Sequence, residues 1–238
     1  MDDAIRDDPI SKSIKARLWD LPVRLFHLAI IGLVGFSWYT AENMHVFTFG
    51  PQDGLTMFEW HVWSGTAMLV LVMFRVLWGV WGSGTARFSQ FVKGPGTVWR
   101  YVTGKGGDYV GHNPLGALSV LLILGILGTQ ATIGLMSSED TFGLEGPLKH
   151  LVAKETSYNL AGWHDILFQV LQVVLALHIL AALYYTLIKK DNLIAPMITG
   201  KTDKTVPADQ MFQPGWRAVT CLLLAGLIVW YGLDYLSP

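Results

Sequence analysis

Cysteine is nearly absent: Cys221 stands alone in a chain of 238 residues. One thiol excludes a disulfide framework, a four-thiolate iron–sulfur cluster and a thioether-linked cofactor site of the Cys-x-x-Cys-His type, so any redox metal here is held by something other than sulfur. Charge is scarce too. Asp, Glu, Lys and Arg make up 15% of the residues and balance to a net −1, which removes the broad basic field on which nucleic-acid binders depend. No internal repeat or low-complexity tract breaks the chain. What fills it is apolar: 52% of residues are hydrophobic and the mean hydropathy is +0.40, more apolar surface than a small globule can hide from water.

Five apolar runs, at 21–41, 57–81, 114–136, 162–188 and 218–236, reach the roughly 20 residues that a helix needs to cross a bilayer. The expected fold class is an all-α integral membrane protein, a four-helix transmembrane bundle with a fifth, C-terminal transmembrane helix. Residues 1–17 are polar, acidic and contain a proline, and read as a flexible cytoplasmic tail; an acidic start argues against a cleaved secretory signal. The main body is expected over 18–200, with 201–238 as a linker and the additional helix. The longest connection, 82–113, interleaves Gly and Pro with aromatics and suggests a surface loop or a short amphipathic helix against the headgroups.

Basic residues orient the spans. Fifteen of the 17 Lys and Arg precede or open span one, lie in the second half of span two or between spans two and three, or lie between spans four and five, whereas only Lys149 and Lys154 lie on the opposite side. The positive-inside rule then places the N-terminus in the cytoplasm and the C-terminus outside. Trp19, Trp38, Trp60, Trp78, Trp81, Trp163 and Trp216 fall near span ends and are expected in the interfacial belts.

Ionisable groups within membrane spans are costly and therefore informative. Four of the seven histidines, His27, His61, His164 and His178, fall in such spans. His164 and His178 are 14 residues apart, a rise of about 21 Å and close to four whole turns, so they share a helix face at opposite depths. Alternating span direction pairs His61 with His164 toward the outer side, each within about one turn of the start of its span, and His27 with His178 toward the cytoplasm. The inner match is looser, and helix tilt or an earlier start of span one near Trp19 is needed to absorb the difference. Two histidine pairs at two depths are what two bis-histidine haem b groups need. Zinc fits poorly, because the layers are too far apart for one tetrahedral site. Polar residues bonded to neighbouring backbone are the competing reading.

The segments WDLPVRLFH (19–27), HVWSGTAMLVLVMFRVLWG (61–79) and GHNPLG (111–116), with the fourth span and its two histidines, together resemble the bacterial cytochrome b561 and nickel–iron hydrogenase b-type cytochrome family over residues 18–200. That resemblance implies a four-helix membrane bundle with two haem b groups, passing electrons between a partner redox protein and the quinone pool. Its ligand pattern falls on His27, His61, His164 and His178. The fifth span exceeds the minimal pattern.

Arg24 precedes His27 by three residues on the same helix side, and Arg75 follows His61 by 14; both are candidates to pair with a haem propionate, against simple snorkelling at the interface. His112 and Asn113, beside Pro114 at the head of span three, form a candidate quinone pocket, against plain helix capping. His45 and His150 are expected to be solvated or facing a partner. The periplasmic partner is expected to be a hydrogenase small subunit or a c-type cytochrome. A free-standing quinol-oxidising cytochrome and a haem-free proton-relay transporter stand as the alternatives.

Overall fold

Side-chain caps start three of the five long helices. The computed structural model describes residues 16–44, 55–107, 109–140, 143–206 and 211–236; most of the expected tail, and His45, lie outside them. Helix α1, Leu21–Glu42, starts where the Asp20 carboxylate accepts from the Val23 N–H at 2.9 Å, with Pro22 in the first turn. Helix α2, Met57–Trp81, opens with a capping box: the Thr56 hydroxyl accepts from the Glu59 N–H, and the Glu59 carboxylate accepts from the Thr56 N–H. Two short helices follow, α3 over Phe88–Phe91 and α4 over Pro95–Val102. The latter exposes Trp99 and Val102 beside Arg100, as a short amphipathic helix at an interface should. Helix α5, Pro114–Met136, is capped by Asn113, and helix α6 runs 34 residues from Lys154 to Leu187. A short α7, Ile194–Thr199, leads to α8, Gly215–Leu236.

Five of these helices are long and apolar enough to span a membrane. Spans two and three begin and end as expected. The fourth differs: α6 starts eight residues before the expected 162, because 154–161 is helical but polar, and helix formation does not stop where lipid contact stops. At about 51 Å, α6 exceeds a hydrocarbon core of roughly 30 Å and projects beyond it. His164 is therefore three turns into its helix rather than one, while α1 starts at Leu21 and not near Trp19.

Helix α1 packs on α2, α2 on both α5 and α8, and α5 on α6. Small antiparallel pairs close the two ends of the bundle. Strand β1 (Ala16–Arg17) pairs with β4 (Lys201–Thr202), and β2 (Ser138–Glu139) pairs with β3 (Leu144–Glu145). Gly200, with φ of 80°, takes the left-handed turn that lets its carbonyl accept from the N–H groups of Leu18 and Trp19. The fifth membrane helix buries Cys221, Ala225 and Val229; Cys221 and Ala225 join Phe74 and Trp78 of α2 in one core. A second core, Ile30, Met68, Val72, Leu124, Leu127 and Leu171, lies among the first four spans.

Two of the expected belt tryptophans are interior. Trp78 is fully buried and donates its indole N–H to the Asp20 carboxylate at 3.0 Å, and Trp19 is 5% exposed. The fully buried polar partner, 58 residues away in sequence, draws Trp78 inward. Trp38, Trp81, Trp163 and Trp216 are exposed, as belt residues should be. Asp20 thus caps one helix and satisfies the indole of another. Asp20→Ala should lower stability by about 2–3 kcal/mol, one part from the cap and the rest from the stranded indole N–H. Asp20→Asn, which keeps one acceptor oxygen, should fall between this and the parent in thermal unfolding in detergent.

Candidate functional site

Three helices, α1, α2 and α6, carry the four membrane histidines and set them in two layers. At one end, His61 of α2 and His164 of α6 face each other with ring centres 6.1 Å apart and planes at 79°. Two metal–nitrogen bonds of about 2 Å plus half an imidazole on each side come to roughly 6 Å, so this spacing suits one metal held between two rings. A cavity of about 500 Å³ opens at the pair, lined by apolar groups such as Val34, Met68, Ala131 and Phe168, with Gly65 and Gln130. A porphyrin needs such an apolar slot.

The second nitrogens are tied down. His61 Nδ1 donates to the Ser37 carbonyl at 3.0 Å, with the hydroxyls of Ser37 and Thr40 at 3.3 Å. His164 Nδ1 donates to the Gln130 carbonyl at 3.1 Å, and the Gln130 side-chain amide donates back to the His164 carbonyl at 3.0 Å. Bonding Nδ1–H to an acceptor fixes the tautomer that leaves Nε2 with its lone pair, the form a metal binds. Ser37, Thr40 and Gln130 carry this orientation and went unnoticed in the sequence, though polar residues inside apolar spans are a readable signal.

At the other end, His27 of α1 lies within electrostatic range of His178 of α6, whose Nδ1 bonds the Ser119 hydroxyl at 3.1 Å. Leu171 is buried in the core between the layers, seven residues or about 10 Å from each α6 histidine. The fold thus sets His61 and His164 face to face and places His27 within electrostatic range of His178.

The remaining candidates divide. Arg75 is 3% exposed and does not snorkel: its guanidinium lies 4.9 Å from the Phe88 ring centre and 5.9 Å from that of Phe91, and its Nη1 is buried without a partner. His112 is held between Trp19 and Phe91, with ring centres 4.8 and 4.6 Å away, and its Nδ1 is likewise buried and unpartnered. Burial first, then the nearby Arg75 charge, pushes His112 down to about 3, so it is neutral at physiological pH. Asn113 does cap α5, its side-chain oxygen accepting from the Gly116 N–H at 2.8 Å. Arg24 donates to the Ile198 carbonyl, tying α1 to α7, and its Nε is buried without a partner. His150 is exposed, as expected, and its Nε2 also donates to the Leu236 carbonyl at 2.6 Å, joining its loop to the end of α8.

The family model for prokaryotic cytochrome b561 matches residues 18–200. The chain belongs to the prokaryotic cytochrome b561 family. It is accordingly a multi-pass b-type cytochrome of membrane electron transfer, in contact with lipid and with redox partners, and a haem-free transporter is set aside. Searches of curated proteins and of solved structures found no match. For a b-type cytochrome, the His61/His164 slot and its anchored Nδ1 atoms fit the family's haem b.

Two outcomes follow from this geometry. A methyl added at Gly134 would sit 2.9 Å from His164 Cε1. Gly134→Ala should displace that imidazole and lower haem content or alter the haem spectrum, whereas Gly226→Ala, whose Cβ meets nothing within 4 Å, should be silent. His112 adds a pH dependence. Its folded value lies below the unfolded 6.5, so between about 6.5 and 3 the unfolded chain binds the extra proton and stability falls as pH falls. The slope is on the order of 1 kcal/mol per pH unit, and His112→Phe should flatten it in melting curves taken at pH 7 and 5.

Proposed function

We propose that this cytochrome carries two haem b groups, one between His61 and His164 and one between His27 and His178. In this reading it moves electrons across the bacterial inner membrane between a periplasmic redox protein, a hydrogenase small subunit or c-type cytochrome, and the quinone pool. The observation that carries the reading is the pair of histidine layers separated by about 21 Å along α6, the depth of most of a bilayer core. Bound haem supplies reversible one-electron chemistry; the chain supplies axial nitrogens, apolar burial and charge partners that tune it. The 15-to-2 distribution of basic residues supports a cytoplasmic N-terminus and a periplasmic C-terminus, which puts the His27/His178 layer on the cytoplasmic side.

Three features favour quinone chemistry beside that inner layer. Arg75 Nη1 and His112 Nδ1 are buried nitrogens without partners, and lone donors in such surroundings call for an acceptor. His112 is neutral, so one of its ring nitrogens bears a hydrogen and the other is free to accept. Asn113 uses only its oxygen for the cap, leaving its amide nitrogen to donate. Arg24, whose Nε is buried without a partner, is the candidate for a propionate carboxylate.

Quinone-driven oxidation of the reduced haems in detergent or nanodiscs tests this reading. His112→Ala and Arg75→Gln should each slow it at least several-fold at matched haem content. Unchanged rates in both would remove this cluster from the site, and protection of residues beside His61 by a quinone analogue would move the pocket to the opposite end.

A further inference from the structure

Tyr185 stands seven residues beyond His178 on α6, two turns or about 10 Å toward the end of the bundle where α4 and α7 lie. Its hydroxyl is hydrogen-bonded to that of Tyr101, which comes from α4, 84 residues earlier in the chain. The Tyr109 ring meets Tyr101 edge-on, with centres 5.5 Å apart. Asp191, just past the end of α6, lies within electrostatic range of Tyr101; its carboxylate is 2.7 Å from Lys204 Nζ, and both side chains remain partly open to solvent. Lys204 Nζ also donates to the Tyr109 carbonyl at 3.4 Å. Two phenols thus share a hydrogen bond two turns from His178, with a solvent-open carboxylate within electrostatic range of the outer one.

Quinone reduction consumes protons as well as electrons, and a buried reaction end needs a route for them. A phenol is suited to this because it donates and accepts through the same oxygen. Whichever hydroxyl donates across the Tyr101–Tyr185 bond, the other retains its own O–H for a further partner, as a relay needs. Burial, then the bond to Tyr185, raises Tyr101 above the ordinary phenol value, so it stays protonated and passes protons by exchange.

We propose that Tyr101 and Tyr185 form the proton-uptake relay for quinone reduction at the His27/His178 end, fed from water at Asp191. The relay rests on the quinone reading above. Each quinone takes two electrons from two reduced haem irons and two protons to become quinol. For each proton, Tyr185 releases its own inward, takes the one from Tyr101, and Tyr101 is refilled from the Asp191 carboxyl, which reprotonates from water. The phenols end as they began.

The experiment compares oxidation of the dithionite-reduced haems by a short-chain ubiquinone and by ferricyanide, which takes electrons without protons. The parent, Tyr101→Phe, Tyr185→Phe and Asp191→Asn are measured in water and deuterium oxide; the Phe variants keep the ring packing. The relay predicts that quinone-driven oxidation slows on the order of tenfold or more in each Phe variant and also slows in Asp191→Asn. The solvent isotope effect should grow and the ferricyanide rate stay constant. Equal slowing with both oxidants means a structural strap and overturns the relay, as does an unchanged quinone rate. If the parent itself is oxidised by ferricyanide but not by quinone, the quinone reading fails and the relay falls with it.

Discussion

Lipid offers a polar side chain no hydrogen bond, so every imidazole within these spans must find its partners inside the bundle, and the rest of the arrangement depends on that requirement. His61 answers it with the Ser37 carbonyl, His164 with the Gln130 carbonyl and His178 with the Ser119 hydroxyl. Each bond crosses between helices: α2 to α1, α6 to α5, α6 to α5. The same contacts that satisfy the ring nitrogens thus tie α1 to α2 and α5 to α6 and leave the opposite nitrogens free for a metal. Metal-binding geometry and membrane packing are two consequences of one set of bonds.

The two ends of the bundle are built differently. Around His61 and His164 the space is an apolar cavity with anchored rings. Around His27 and His178 the neighbourhood holds buried nitrogens without partners, on Arg75 and His112, together with stacked aromatics and the Tyr101–Tyr185 pair. Among the described residues, buried polar atoms without partners occur at the other end as well, on Trp60 and Gln130, but there no second ring nitrogen or guanidinium is among them. The fifth helix stands outside both: α8 packs on α2 through Cys221 and Ala225, and bonds from Ser83 and His150 secure the chain at its two ends.

Much of this was legible in the sequence, for local reasons. Thr56 with Glu59, and Asn113 with Pro114, announce the starts of α2 and α5 because capping is short-range chemistry. The histidine layers were legible because span direction alternates and 14 residues return a helix to the same face. The start of α6 was not, because hydropathy reports lipid contact and 154–161 is a polar helix projecting past it. The burial of Trp78 was hidden as well, since its partner Asp20 is 58 residues away. Arg75 was read only as far as its depth: its seat over Phe88 and Phe91 depends on how the 82–113 connection folds back, which no local pattern encodes.

The central claim is that the four histidines act as two depth-sorted pairs, each holding one haem b. Haem per chain, measured by pyridine haemochrome against quantitative amino-acid analysis, tests it most directly. The account predicts two non-covalent haem b groups in the parent and one in each of His27→Ala, His61→Ala, His164→Ala and His178→Ala, with the variants falling into two spectral classes, His61 with His164 and His27 with His178. A parent ratio of one or none, or a loss pattern that crosses the pairs, would contradict it.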